Sequence, residues 1–370
     1  MAKARASIRD VARESGVSLT TVSLVLNKGD ARISEGTRQR VLEAIDKLQY
    51  RPSRLARGLP NNRAHTLAVL LPDLSHAFAD PYFGEIISGI YDHAADRDYR
   101  LMLQVARRDF VRQKLYDVLI EECSVDGILF LGATEKHRFL AEIDGADKPF
   151  MVVNNHFPQW ELRTILCDYP EAGRLAADHL AQLGHQRIGH ISGPAAEVYT
   201  AAQVTGAFVD RLQEHRIELP DRLVVDGQFQ SERGELAAHE LLVREPRLTA
   251  IFCGNDKMAL GACHACRRMG RRPGEDIAIV GCDNIPAAQM ADPPLTTIHM
   301  NFYQLGILAC RTMLDFVDNA QRRERQARNG NGNGNGHDAA EADHAADGLV
   351  CPRLPVSLIV RDSCCPPLAD

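Results

Sequence analysis

The chain has 370 residues, of which 45% are hydrophobic and 25% are charged, with a formal net charge of −6. A chain of this size can bury a large core and has room for two or three domains. It contains no run of about 18 apolar residues that would predict a membrane span, and no apolar segment follows the start MAKARASIRD as in a secretory signal. We therefore expect a cytoplasmic globular protein.

Positive charge is concentrated at the beginning of the chain. Residues 1–63 hold 13 Lys and Arg against 6 Asp and Glu, a balance of +7. The other 307 residues hold 30 against 43, a balance of −13. A basic segment attached to an acidic body predicts that the segment binds a polyanion such as nucleic acid. The alternative is a solvated charged face without such a partner.

Short helices are predicted in this basic segment. Ser7 and Asp10 form a capping-box pattern at the start of the first helix, and Gly16 can end it. Ser18 then begins a second helix, over residues 18–27, after a turn of about four residues, which is the spacing of a helix-turn-helix. A third helix follows, whose apolar face carries, at helical spacing, Val41, Ala44, Ile45 and Leu48.

The second helix distributes its apolar residues unevenly. At about 100° per residue, Val22, Val25 and Leu26 point to one side, whereas Leu24 points almost the opposite way. A leucine at that angle lies away from the core that the three helices would form. It is therefore a candidate for contact with another molecule, and the alternative is burial against the third helix.

The stretch SIRDVARESGVSLTTVSLVLNKGDARISEGTRQRVLEAIDKLQYRPSRLARGL resembles the DNA-binding head and hinge of the lactose-repressor (LacI/GalR) family of transcriptional regulators. The resemblance implies a helix-turn-helix DNA-binding domain over residues 1–50 and a hinge helix over residues 51–60. It implies that the second helix enters the major groove of operator DNA, and that the hinge enters the minor groove with Leu59 wedged between base steps.

The same resemblance assigns the contacts with DNA. The expected DNA-binding residues are Ser7, Ser18, Leu19, Thr20, Thr21, Ser23, Leu24, Asn27, Arg54, Ala56, Arg57 and Leu59. Leu24 stands where the family often carries arginine, so we expect it to face a thymine methyl group or the apolar edge of the groove rather than a guanine. Leu19 can either touch DNA or cover the rim of the small core.

Apolar runs alternate with amphipathic helical segments through the rest of the chain. The runs include TLAVLLPD, VDGILFLG, PFMVVNN, RIGHISG, TAIFCGND and DIAIVGCD. Continuous apolar strands separated by helices predict parallel sheets covered on both faces. Ligands bind beyond the carboxyl ends of such strands, so the polar residues found there predict a polar cleft, unless each of them only caps a helix. They are Asp73, Asn154, Asn155, Asn255, Asp256 and Asp283.

The segments GHQRIGHISGP, TAIFCGNDKMALGA, GEDIAIVGCDNIP, DPPLTTI and LPVSLIVRDSC are similar to the effector-binding region of the same family. The resemblance implies an effector-binding and dimerisation domain over residues 61–370. One subdomain is expected over about 61–166 and 297–322, and the other over about 167–296 and 349–370. The expected fold class is thus a small all-α helix-turn-helix head plus an α/β domain of periplasmic-binding-protein type with two parallel-sheet subdomains.

The resemblance also implies which residues bind the effector. Asn255 and Asp283 match positions that hydrogen-bond it, Asn154 falls where an aspartate is frequent, and Phe229 falls where an aromatic ring lines the pocket. Gln203 replaces a usual arginine and cannot neutralise an anion, which favours a neutral sugar or glycoside. The full expected set is Asp73, Asp80, Tyr82, Phe83, Asn154, Gln203, Phe229, Asn255 and Asp283.

Two segments depart from the family pattern. The loop PDLSHAFADPYFGEI is longer than the usual form, which alters the wall that the first subdomain contributes to the pocket. Residues 323–348 are rich in Arg, Gly, Asn and acidic residues. Such a run cannot bury enough apolar surface to order itself, so we expect a flexible insertion there.

Other chemistry has little support in the sequence. Cys263 and Cys266 have the spacing of metal ligands, but they lie in a helical segment where apolar residues are expected, so we expect no metal and no cofactor. No nucleophile elbow, HExxH or Walker motif is present, so we do not expect an enzyme. The alternative is a sugar-binding or sugar-modifying protein without a DNA function.

The sequence therefore predicts a transcriptional regulator, most simply a repressor, that acts as a homodimer on the nucleoid. Its expected partners are double-stranded operator DNA and a small-molecule effector, with no membrane partner.

Overall fold

The computed structural model of the chain describes residues 6–26, 33–50, 63–74, 79–122, 124–143, 149–328 and 353–367. The chain divides into two compact units, Met1–His65 with Glu121–Val125 and Thr66–Ile120 with Asp126–Asp370. Within these described ranges, no helix is long and apolar enough to cross a membrane.

The first unit contains a helix-turn-helix head. Its helices are α1 (Ile8–Ser15), α2 (Leu19–Leu26) and α3 (Glu35–Lys47). The capping box of Ser7 and Asp10 is present, and Gly16 ends α1 in the left-handed conformation at φ 66°. The Oγ of Ser18 accepts a hydrogen bond from the backbone N–H of Thr21 at 3.1 Å, which caps α2 as predicted. Side chains from all three helices then bury a small core: Val11, Ala12, Val22, Val25, Val41, Ala44 and Tyr50.

The second unit contains two six-stranded sheets. The strands of the first sheet are β1 (Thr66–Pro72), β2 (Arg100–Ala106), β3 (Gly127–Leu131), β4 (Phe150–Val153), β5 (Arg163–Cys167) and β11 (Arg353–Leu354). They lie in the order β11-β5-β4-β3-β1-β2 and pair in parallel. The helices between them are α4 (Pro81–Asp96), α5 (Arg108–Arg112) and α6 (Leu115–Glu121).

The second sheet repeats this plan. Its strands are β6 (Ile188–Ser192), β7 (Val224–Asp226), β8 (Ala250–Cys253), β9 (Ala278–Asp283), β10 (Thr296–His299) and β12 (Ser357–Ile359). They lie in the order β12-β10-β9-β8-β6-β7, all parallel except the antiparallel pair of β10 and β12. The connecting helices are α7 (Tyr169–Gln182), α8 (Tyr199–Glu214), α9 (Ser231–Arg244), α10 (Asp256–Arg268), α11 (Pro286–Met290) and α12 (Phe302–Arg328).

Central strands of both sheets are buried along their whole length, as the continuous apolar runs predicted. Every residue of β3 and of β6 is buried, which requires cover on both faces of each sheet. The predicted fold class, a helix-turn-helix head with a two-subdomain α/β domain of periplasmic-binding-protein type, is confirmed.

The crossovers between the two sheets differ in detail from the expected boundaries. The whole of β10 belongs to the second sheet, so the chain crosses after His299 and not at 296. Residues 349–370 were expected in the second subdomain, but Arg353 and Leu354 pair with Leu166 and Cys167 in the first sheet. The final crossing therefore falls between Leu354 and Ser357, because backbone groups of β5 take up the short strand β11 first.

The first residues of the expected flexible insertion are helical. α12 continues to Arg328, so residues 323–328 are helical and not part of a flexible run. Arg, Gln, Glu and Ala in QRRERQAR are good helix formers, which favours a helix over this part of the expected insertion. Residues 329–348 lie outside the described residues.

Candidate functional site

α2 presents a mixed polar and apolar surface to solvent. Its inner side buries Val22 and Val25, which are 0% and 4% exposed. Leu19 is 45% exposed, and Ser18 and Thr20 are also exposed. The outer surface of α2 can therefore offer hydroxyl groups and leucine side chains to a partner.

Leu24 is half-buried but is not among the described side chains that pack on the core of the head. The half-buried neighbours Thr21 and Ser23 lie on the same helix. Burial of Leu24 in the core of the head, the alternative considered above, is therefore not what the structure shows. Its side chain remains available at the outer surface of α2.

Other expected DNA-binding residues fall into two groups. Ser7 is engaged in its own cap, because its Oγ donates to the carboxylate of Asp10 at 2.7 Å and its backbone N–H donates to the same carboxylate at 2.9 Å. Asn27, Arg54, Ala56, Arg57 and Leu59 lie outside the described residues.

A polar cluster lies at the carboxyl ends of strands β4 and β5. Asn154 follows β4, is 3% exposed and has a left-handed backbone with φ 63°. Its Nδ2 donates to the hydroxyl of Tyr169 at 2.6 Å and to that of Tyr82 at 3.3 Å. These contacts join the end of the first sheet to the first turns of α4 and α7. The cluster thus presents one amide and two phenol groups.

Asp283, the last residue of β9, contributes a carboxyl group that has no partner among the residues that the structure describes. Its side chain makes no hydrogen bond or ion pair within the described part of the chain. Burial raises the pKa of Asp283 well above its usual range, and the nearby carboxylates of Asp256 and Asp80 raise it further, whereas Lys257 lowers it. A desolvated carboxyl group with free hydrogen-bonding capacity can bind hydroxyl groups of a ligand.

Asp256, the first residue of α10, is a different kind of carboxylate. It is 0% exposed. One oxygen accepts a hydrogen bond from the hydroxyl of Thr297 at 2.5 Å, and the other accepts from the backbone N–H of Ile285 at 2.8 Å. Gly281 of β9 leaves the space that this carboxylate fills, because a Cβ atom there would collide with it. Asp256 therefore holds together α10, β10 and the loop that follows Asp283.

Lys257 brings the positive charge of this region. Its Nζ lies 2.6 Å from the Oδ2 of Asp80, and the two side chains are 29% and 24% exposed. Asp80 also accepts a hydrogen bond from the backbone N–H of Tyr82 at 3.1 Å, which caps α4. The lysine charge is thus matched by a protein carboxylate.

Asn255 and Phe229 lie together in the second subdomain. The Oδ1 of Asn255 caps α10 by accepting from the backbone N–H of Met258 at 2.9 Å, and its Nδ2 donates to the carbonyl of Phe229 at 3.4 Å. The helix-cap role, which the sequence left open for such residues, is therefore filled by Asn255. The ring of Phe229 lies over Gly193, where a side chain would collide with it.

Three expected effector residues lie elsewhere. Asp73 is exposed and lies 3.9 Å from Arg107. Phe83 is 5% exposed and belongs to the hydrophobic core beside Gly132. Gln203 lines an open groove between α7 and α8, with Arg174 among its neighbours.

Tyr169 and Lys257 are site residues that were not predicted from the sequence. Tyr169 follows the strand in TILCDY, so the same strand-end rule that selected Asn154 would have found it. Lys257 directly follows the GND motif, but nothing in the sequence indicates that its partner is Asp80, 177 positions away.

No metal-binding group of His, Cys, Asp and Glu is found among the described residues. Cys263 and Cys266 lie on the buried side of α10, and burial raises the pKa of each thiol to about 12. Both thiols are therefore protonated at neutral pH and behave as small hydrophobic groups.

The chain has a helix-turn-helix head, followed by two parallel-sheet subdomains with a polar cluster at their strand ends. This combination defines a regulator that binds both DNA and a ligand. Residues 7–53 match the bacterial regulatory proteins of the lacI family, and residues 177–330 match the periplasmic binding protein-like domain. Similarity to known proteins over most of the chain indicates the same class of protein.

The chain is 35% identical to the HTH-type transcriptional repressor PurR of Photorhabdus laumondii over 85% of its own length and 91% of that protein. It is 34% identical to the HTH-type transcriptional repressor CytR of Escherichia coli K12 over 84% and 89% of the two chains. The chain therefore belongs to the lacI family of bacterial regulatory proteins, as the sequence resemblance predicted.

Solved structures agree with this assignment. The Lac repressor dimer bound to operator and the anti-inducer ONPF matches with a TM-score of 0.78 and 25% identity, covering 97% of this chain and 99% of that one. The transcriptional regulator CelR in complex with cellobiose matches with a TM-score of 0.68 and 27% identity, covering 97% and 100%.

Proposed function

We propose that this chain is a transcriptional repressor that binds operator DNA as a homodimer and is controlled by a small neutral effector. The proposal that the chain binds DNA is supported above all by the outer surface of α2. It presents Ser18, Leu19, Thr20 and Leu24 outside the core that the inner side fills with Val22 and Val25. An α-helix that exposes side chains in this way fits the major groove.

Two such heads related by a twofold axis would read two halves of a pseudo-palindromic operator. The balance of +7 over residues 1–63 supplies the attraction to phosphates. Binding to operators would place the protein on the nucleoid, as the sequence analysis expected.

The chemistry of the cleft favours an effector rich in hydroxyl groups and without charge. Asn154, Tyr82 and Tyr169 offer amide and phenol groups, and Asp283 offers a carboxyl group that no other described residue engages. Each can make directional hydrogen bonds that a ligand lacking the matching groups would leave unpaired. Lys257 is already neutralised by Asp80, so the cluster does not need an anionic ligand. A neutral sugar or glycoside meets these requirements.

The DNA-binding proposal is tested by selecting sites from a random DNA pool with the full chain. We expect a two-half-site operator whose affinity falls by orders of magnitude between 50 and 200 mM salt, as roughly 6–10 phosphate contacts require. Thr20→Ala should weaken specific binding by about 1–3 kcal/mol. The matched control is Leu42→Ala, which alters a leucine of α3 that is 47% exposed. Equal affinity for selected and random DNA would refute the proposal.

The effector proposal is tested by thermal unfolding of the full chain with matched neutral and phosphorylated sugars. A ligand that binds the native state raises the unfolding temperature by mass action. We expect stabilisation by at least one neutral sugar and none by its phosphate ester. Stabilisation by sugar phosphates alone would refute a neutral effector.

A further inference from the structure

Side chains of the two subdomains meet across the cleft at several points. Near the polar cluster, Lys257 of α10 meets Asp80 at the start of α4, with 2.6 Å between Nζ and Oδ2. At another point, Lys136, which follows β3, lies 2.7 Å from Glu197, which follows β6. Beside this second pair, the backbone N–H of Glu135 donates to the carbonyl of Glu197 at 3.3 Å. Each ion pair has one member from each subdomain.

The two ion pairs differ in their exposure to water. Lys257 and Asp80 are 29% and 24% exposed, whereas Lys136 and Glu197 are 73% and 41% exposed. An exposed pair contributes little, because water screens the charges and two long side chains must be ordered. Charges that water reaches less interact more strongly, and breaking such a pair leaves the other charge without compensation. Of the two ion pairs, Asp80–Lys257 therefore contributes more to holding the subdomains together.

Both members of the Asp80–Lys257 pair lie at helix starts that are fixed by other hydrogen bonds. Asp80 caps α4 through the backbone N–H of Tyr82, and the hydroxyl of Tyr82 accepts from Asn154. Lys257 follows Asp256, whose buried carboxylate is fixed by Thr297 and the backbone of Ile285. Movement of one subdomain away from the other would consequently separate the two charges. Neither Asp80 nor Lys257 can move with the opposite subdomain unless the hydrogen bonds at the start of its own helix break.

We propose that the Asp80–Lys257 pair is a closure contact that holds the effector cleft shut before an effector binds. This inference rests on the proposed function only in taking the cleft as the effector site. An effector can enter only molecules whose cleft is open. The pair reduces the fraction of open molecules, and the apparent affinity for the effector falls in proportion to that fraction. The pair thus regulates the response of the cleft by setting the fraction of open molecules.

The test uses hydrogen–deuterium exchange of the full chain without DNA or effector. Lys257→Met removes the charge and keeps the length of the side chain. Asp80→Asn removes the opposite charge and keeps an oxygen that can accept from Tyr82. In both variants we expect exchange to rise by about tenfold at the amides beside the cleft, in residues 82–84 and 283–285. The double variant should exchange no faster than either single one, because all three lack the same pair.

Lys136→Met is the matched control, since it breaks the exposed pair between the same subdomains. We expect its exchange pattern to equal that of the parent protein. The inference is overturned if Lys257→Met leaves exchange unchanged, if the two single effects add in the double variant, or if the rise extends into the interior of β8, which would indicate unfolding and not opening. Because no DNA or effector is present, these outcomes are independent of whether operator binding or sugar binding succeeds.

Discussion

The buried carboxylate of Asp256 makes the stability of the second unit depend on pH. Its side chain is 0% exposed. Burial raises the pKa of Asp256 from 3.8 to about 7, although hydrogen bonds from Thr297 and the backbone of Ile285 favour the charged form. The folded state therefore holds the proton more tightly than the unfolded state does. The stabilisation that this proton provides is present below pH 4 and is lost as the pH rises to about 7.

The magnitude follows from the difference between the two pKa values. About three units at about 1.4 kcal/mol per unit correspond to about 4 kcal/mol. Asp256→Asn cannot titrate, and its amide oxygen can still accept from the backbone of Ile285. We therefore expect the free energy of unfolding of the parent protein, relative to this variant, to fall by about 4 kcal/mol between pH 4 and pH 8.

Denaturant unfolding of both proteins at a series of pH values measures this change in relative stability. Any effect of the substitution that does not depend on pH cancels when the values at pH 4 and pH 8 are compared. Asp276→Asn is a control of opposite sign. Arg272 donates hydrogen bonds to Asp276 and lowers its pKa, so Asp276 stabilises at neutral pH and loses its contribution as the pH falls. A pH-independent difference between the parent protein and Asp256→Asn would refute the reasoning about burial.

Three further substitutions test other parts of the structure. Leu24→Arg should shift the preferred base at its position toward guanine by roughly 1–3 kcal/mol in site selection; a strong guanine preference already present in the parent protein would show that Leu24 does not face that base. Asp283→Ala should weaken effector binding by about tenfold or more and leave operator binding intact, because it removes a carboxyl group that no other described residue engages; calorimetry with a sugar identified by the thermal screen would measure this, and unchanged affinity would exclude Asp283 from the site. Gly306→Ala should lower stability by about 1–3 kcal/mol, because its Cβ would collide with the carbonyl of Ile86; Gly206→Ala, which meets nothing within 4 Å, is the control in thermal unfolding.

Features determined by neighbours along the chain were predictable from the sequence. The capping box of Ser7 and Asp10, the turn at Gly16 and the opposed direction of Leu24 depend on spacings of a few residues. Continuous apolar runs likewise predicted strands that are buried on both faces. In these cases the short-range pattern and the final packing favour the same conformation.

The composition of the cleft depended on the tertiary structure. Asp73, Asn154, Asn255 and Asp283 all lie at or just after strand ends, but only the fold decides that Asn154 meets two tyrosines, that Asn255 caps its own helix and that Asp73 remains at the surface. A strand-end position specifies the edge of the sheet at which a side chain lies. It does not specify which groups from other elements compete for its hydrogen bonds.

The same limit applies to contacts between the subdomains. The sequence by itself determined the family, the parallel sheets covered by helices, and the basic head. Only the tertiary structure paired Lys257 with Asp80 and placed Arg353 and Leu354 in the first sheet. Pairings over such separations follow from how the crossovers bring the two sheets together, since no local spacing encodes the distance between residues that are far apart along the chain.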